Sequence, residues 1–335
     1  MKKTLIASAV AAVVAAPAAF ADVTIKGQIN QEFYDAGGDM QSDLNSDLVF
    51  SGKEDLGNGL TANWKIHTFL DNGSYGSNGA GDTCSASQAT STVTSSVTQA
   101  TSLTVTTVSN TVSNGAITNT CTEKNVTADQ IIGLSGDFGS IQVGRFEPLT
   151  EGAMASMANI DAADALDLEH GLGNQTRTEG GIRYTSPSFN GLKVAVEGFA
   201  DESVTGEDLT TTTIYAQYSN AGLTVKAAQE NNEGGSDFTS IGVAYKLDGL
   251  ELRVLNTEKS TAGSADVDNT FFGASYTMGN NAVAVGMIDA DGAEDGDSIV
   301  SFKHSMSKST NVYLTHLNDD SAADNTTLIG LQHKF

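Results

Sequence analysis

The final ten residues, T-T-L-I-G-L-Q-H-K-F from Thr326 to Phe335, carry the rule that constrains the whole chain. Ile329, Leu331 and Phe335 share one parity; Gly330, Gln332 and Lys334 share the other. Successive strand side chains point to opposite faces, so this segment has one apolar and one polar face. It ends on a bare Phe with no polar tail. That ending is expected where the last strand pairs with the first and turns its apolar face to lipid, because strands cross a membrane only as a closed barrel.

The same alternation runs through the chain. Val23, Ile25, Gly27 and Ile29 oppose Lys26, Gln28, Asn30 and Glu32. A second strand over 44–53 sets Leu48 and Phe50 against Asp47, Ser51 and Lys53, and the turn E-D-L-G-N-G at 54–59 leads to a third carrying Leu60, Ala62, Trp64 and Ile66 opposite Asn63, Lys65 and His67. After an interruption the pattern resumes at Ile132 and Leu134, then at Ile141 and Val143. Eleven further strands are predicted over 176–186, 191–200, 210–219, 222–230, 238–247, 250–258, 269–278, 281–290, 297–306, 310–318 and 326–335. The reading is all-β: a 16-stranded antiparallel transmembrane barrel over 22–335, with short turns at one end and long loops at the other. No apolar run approaches the ~20 residues of a helical span. Only three Pro accompany 35 Gly, as a strand-and-turn chain requires.

Residues 1–21 stand apart. Lys2 and Lys3 precede an apolar stretch, and Ala19-Phe20-Ala21 has the A-x-A form of a cleavage site, so this segment is read as a secretory signal peptide. The whole chain has a formal charge of −24, and loss of Lys2 and Lys3 makes it two units more negative. That balance argues against nucleic acid as a partner and for attraction of cations.

Residues 71–126 form a long Thr-, Ser- and Val-rich insert, expected on an exposed surface. Cys84 and Cys121 bracket it. In an exported chain they are expected to form a disulfide, closing a loop of about 38 residues and stabilising it by about 3–4 kcal/mol, the other reading being two buried free thiols.

Tyr184, Tyr218, Tyr245 and Tyr276 all fall on the apolar parity just before short turns, as an aromatic girdle at a membrane boundary would. The polar parity carries Lys26, Glu32, Lys53, Lys65, His67, Lys193, Glu197, Lys226, Glu251 and Arg253. Charges of both signs are expensive in a dry core and cheap in water, so the interior is expected to be wet, in a barrel wide enough for an aqueous channel.

V-T-I-K-G-Q at 23, F-S-G-K-E-D-L-G-N-G-L at 50, I-G-L-S-G-D-F-G-S-I-Q-V-G-R at 132, G-I-R-Y-T-S-P-S-F-N-G-L-K-V at 181 and the closing I-G-L-Q-H-K-F give the chain a resemblance to the Gram-negative general diffusion porins, over 22–335 apart from the insert. The resemblance implies a homotrimer in the outer membrane among lipid and lipopolysaccharide, passing small hydrophilic solutes and ions without a cofactor. It also implies a third loop folded into each lumen, here about 147–174, whose acids Glu147, Glu151, Asp161, Asp164, Asp167 and Glu169 face a basic wall; Arg177 and Arg183 are the candidates for that wall. Lys26, Asp47, Lys53, Lys65, His67, Lys193 and Arg253 are the other lumen candidates. The chain departs from the family pattern at Asp47 and at Ala128-Asp129, positions where Arg is common, so the basic wall is thinner. Carboxylate-rich linings select cations, and a cation preference is expected.

Other chemistry is weakly signalled. The five His have no metal-ligand spacing. Asp289, Asp291, Asp295 and Asp297 resemble a Ca²⁺ loop, but the twelfth position is Val300 rather than a bidentate Glu, which leaves loosely bound divalent cations at most. No nucleophile, base and orienting group stand out, so an enzyme is not expected. A substrate-specific channel and a surface-adhesive role for the insert are the alternatives.

Overall fold

The computed structural model describes residues 22–36, 40–70, 83–88, 117–122, 127–158, 177–200, 209–291, 296–318 and 325–335. The expected signal peptide and most of the insert lie outside them. Eighteen strands are described: β1 Asp22–Ala36, β2 Met40–Gly57, β3 Leu60–Phe69, β4 Thr83–Gln88, β5 Ile117–Thr122, β6 Thr127–Gly136, β7 Gly139–Phe146, β8 Thr178–Thr185, β9 Leu192–Phe199, β10 Thr211–Asn220, β11 Leu223–Asn232, β12 Ser236–Leu247, β13 Leu250–Thr261, β14 Val267–Met278, β15 Asn281–Ala290, β16 Ser298–Ser305, β17 Thr310–Asn318 and β18 Thr326–Lys334. Sixteen of them close into one antiparallel barrel, each pairing with its sequence neighbour except where β3 pairs with β6 and β18 returns to β1. β4 and β5 form a separate two-stranded sheet whose register sets Cys84 opposite Cys121. Among the described residues, no helix is long and apolar enough to cross a membrane.

Several strand ends differ from the sequence reading, most of all those of β2. β2 runs four residues further at each end than 44–53, and the expected turn at 54–59 shrinks to Asn58-Gly59, because Glu54 pairs with Ala62 and Asp55 with Thr61. Acidic side chains at the rim of a barrel do not prevent the backbone ladder from continuing. Elsewhere the turns are as tight as expected. Between β10 and β11, Ala221 and Gly222 both take positive φ (47° and 86°), the conformation that suits a two-residue hairpin.

The alternation sorts residues by side. Ile132 and Ile214 are 63% and 64% exposed on the outside, with Val23, Ile25, Leu252, Val300 and Ile329 among the others there. The four girdle tyrosines are exposed on the same surface. Tyr184 and Tyr218 each lie near a short turn, and Tyr245 and Tyr276 pair with Leu223 and Leu250 at the starts of strands. The inner parity holds Thr213, Glu230, Ser240, Thr257, Ser301 and Thr315, all buried.

The seam is locked from both sides. Gly27 and Phe335 exchange backbone hydrogen bonds of 3.1 and 3.0 Å, and the Phe335 ring covers Gly27. Tyr313 lies across Gly330, where any Cβ would collide with its ring, and its hydroxyl, with one proton to donate, sits between Asn30 Oδ1 at 2.6 Å and the Glu32 carboxylate on β1.

The expectation of a uniformly wet interior is corrected. Ala195, Tyr215, Ala228, Ala244, Leu255, Phe271, Ile288, Ala290 and Ile299 all belong to one buried apolar cluster inside the barrel. Its other members, Met154, Ala155, Met157 and Ala158, come from the loop after β7. A folded-in loop screens this part of the wall from water, and small side chains at 195, 228 and 244 make room for it.

Candidate pore constriction

The third long connection leaves β7 at Phe146 and turns inward at Glu147 and Pro148. A π-helical turn, Thr150–Met154, runs into a 3-10 turn, Ala155–Met157. Both pack on the inner surface of β11, β12 and β13, so the described half of the loop crosses the lumen from its own strand to that wall. The local sequence favours this arrangement. Met154 and Met157 lie three apart and face one way on a helical turn, with Ala155 and Ala158 filling the remaining space. All four are buried.

Charged wall residues hold the loop. Glu197 of β9 accepts from the Leu149 amide at 2.7 Å and from Arg183 Nε at 2.5 Å. Arg183 Nη2 also donates to the main-chain oxygen of Glu147 at 2.5 Å. Thr150 Oγ1 donates to Glu230 of β11. Lys226 Nζ of β11 donates to the Ala153 carbonyl at 2.6 Å and to Ser156 Oγ at 3.0 Å. Arg253 Nη1 of β13 reaches the Ser156 carbonyl at 3.3 Å, while its Nε and Nη2 hold Glu251 at 2.9 Å.

The opposite inner surface is an ionic network. Arg177, at the far end of the same connection, contacts Glu147 at 2.9 Å, Asp129 at 3.4 Å and Glu151 at 3.8 Å. Asp129 of β6 also holds Lys65 of β3 at 2.5 Å and lies 3.8 Å from His67 Nδ1. His67 Nε2 is 3.4 Å from Asp47 of β2. The Arg177 guanidinium lies 5.7 Å from the centroid of the Phe69 ring, within the range of a cation–π contact. A space of about 270 Å³ opens here, lined by Lys65, Asp129, Phe146, Glu147, Leu149 and Arg183 among others.

Glu147, Glu151, Arg177, Arg183, Asp47, Lys65, His67 and Arg253 therefore meet at or around the loop, whereas Asp161, Asp164, Asp167 and Glu169 fall outside the described residues. Arg177 and Arg183, the candidates for the basic wall, lie beside the described root of the loop. They contact Glu147 directly, because the loop root folds back against β8. Lys26, Lys53 and Lys193 are exposed toward the short-turn end of β1, β2 and β9. The sequence reading passed over Glu230, Met154 and Met157, and it did not connect Lys226 or Glu197 to the loop. A signal was present: Ala228, Ala244 and Leu255 break the polar parity of three successive strands, so something apolar must cover them.

The comparisons with known proteins agree with this geometry. A family model described as Gram-negative porin matches residues 7–324. A search of curated proteins found no match. Among solved structures, an anion-selective porin from Comamonas acidovorans aligns at a TM-score of 0.62 and 18% identity, over 94% of this chain and all of that one. A Salmonella typhi OmpF complex with daunomycin gives 0.62 and 14%, over 93% and 97%. A triple mutant of the Rhodopseudomonas blastica porin gives 0.61 and 14%, over 94% and 100%. At these identities the likeness is one of fold. With sixteen strands closed into a barrel, a loop folded into the lumen and a family model spanning most of its length, the chain belongs to the Gram-negative porins, multi-pass β-barrel channel proteins of the outer membrane.

Proposed function

We propose that the barrel passes small hydrophilic solutes and ions by passive diffusion and prefers cations. The observation that carries this reading is the make-up of the ionic surface: four carboxylates, Asp47, Asp129, Glu147 and Glu151, gather around Lys65 and Arg177, with His67 between two of them. Arg183 and Arg253 already hold Glu197 and Glu251. Fixed carboxylates in excess of fixed bases attract cations into a pore. One structural relative is an anion-selective porin, and the cation reading for this chain rests on its own lining residues. The reading is tested by reversal potentials of the purified protein in a planar bilayer under a KCl gradient. A cation-favouring sign is expected, and an anion-favouring sign would overturn the preference.

The same reading takes the chain as a homotrimer in the outer membrane with lipid and lipopolysaccharide around it, residues 1–21 as its export signal, and Cys84 and Cys121 as bonded. The register that pairs these cysteines across β4 and β5 supports the last point.

A further inference from the structure

We infer that Lys226 is the positioning residue that holds the constriction loop against the barrel wall, and that its charge serves this purpose rather than ion selection. The inference rests on the channel reading above. A lumen-facing lysine in a pore is ordinarily a mobile charge in water. Lys226 is different, since its ammonium group ends on two loop acceptors, the Ala153 carbonyl at 2.6 Å and Ser156 Oγ at 3.0 Å. Ser156 Oγ donates to the same Ala153 carbonyl at 2.8 Å, so side chain and turn close on one oxygen.

The acceptors explain why a cation is needed there. The 3-10 turn ends at Met157, and the carbonyls of Ala153 and Ser156 near its end accept from side chains of the barrel wall. Carbonyls at the end of a helical turn take partners from outside the turn, and a charged donor bonds them strongly. Lys226 takes the carbonyl of Ala153 and Arg253 takes that of Ser156, so two neighbouring regions of wall cap the end of one turn. The methionine contacts are apolar and non-directional. They resist withdrawal of the loop from the wall but fix its position along the wall poorly. The Lys226 bonds are directional and supply that missing constraint. Further along β11, Glu230 holds Thr150 at the start of the same turn, so one strand grips both ends of it.

The experiment is single-channel recording of the full-length protein and its K226M, K226R and S156A variants, with the reversal potential measured in the same bilayers. K226M is expected to show more frequent partial closures and to close at lower voltage than wild type, with little shift in reversal potential. K226R is expected to restore steady conductance. S156A, which removes one of the two loop acceptors from an exposed position, is expected to raise closure frequency to a smaller degree. Closures at the wild-type frequency in K226M, with a reversal potential displaced toward cations, would make Lys226 part of the ion filter and overturn the assignment. If K226M does not assemble, S156A decides alone, and closures at the wild-type frequency overturn the assignment. A wild-type protein that passes no current would instead defeat the channel reading itself.

Discussion

One loop meets two inner surfaces of this barrel, and the two are built on different principles. Against β9–β13 the loop is buried: Met154 and Met157 sit among Ala228, Ala244 and Leu255, and Glu197, Glu230 and Lys226 each bond to it. Against β2, β3, β6 and the start of β8 it is joined by charges that remain partly in reach of water, with the Lys65 side chain 39% exposed and Glu147 34%. The first surface fixes where the loop is. The second sets what an ion beside the loop experiences. A pore can therefore change its selectivity without moving its constriction, provided substitutions stay on the ionic side.

Three substitutions probe that division. The largest effect is expected from Met154→Ala on the buried side, which empties a fully enclosed site and should weaken the loop's attachment by about 2–5 kcal/mol. Proteinase K should then cut within 147–158 in folded barrels, where the wild type resists. Equal resistance in both would mean that the methionines do not hold the loop. Arg177→Ala on the ionic side comes next. It leaves Glu147, Asp129 and Glu151 without their shared base, a loss of about 1.5–3 kcal/mol for hydrogen bonding to a charged group. The expected result is a reversal potential displaced further toward cations at unchanged protease resistance; a displacement toward anions would reverse the account of the lining. The smallest effect belongs to Lys65→Gln. It removes the half-exposed partner of a buried Asp129, which keeps Arg177 at 3.4 Å and lies 3.8 Å from His67, and only the lysine side of the pair is in reach of screening salt. Its conductance should differ from wild type in dilute KCl and converge with it in concentrated KCl.

Much of the barrel was legible because alternation is a local property. Each strand announces which parity faces lipid, as Val23, Ile25 and Ile29 do on β1, and a pattern repeated sixteen times leaves little choice of architecture. The loop was legible only in part. Its acids could be read from the chain, and the resemblance offered Arg177 and Arg183 as their partners, but which acid each meets could not be read, since Arg177 meeting Glu147 depends on how the loop root bends back. The dry side was harder still. Alanine at 228 or 244 is unremarked in a single strand and gains meaning only beside Met157, which approaches from a loop far away in sequence. Lys226 looked like any lumen lysine, because a side chain's parity says which way it points and not what it reaches.

The seam between β1 and β18 has a consequence for biogenesis. Gly27 and Phe335 stand at opposite ends of the barrel sequence and are hydrogen-bonded to each other. The ring therefore cannot form until β18 is available, and every earlier stage presents two unpaired sheet margins to its surroundings. Such an intermediate needs to be shielded from others of its kind in transit. Removing β18 would delete the partner of β1 and leave an open sheet, which a bilayer cannot accommodate.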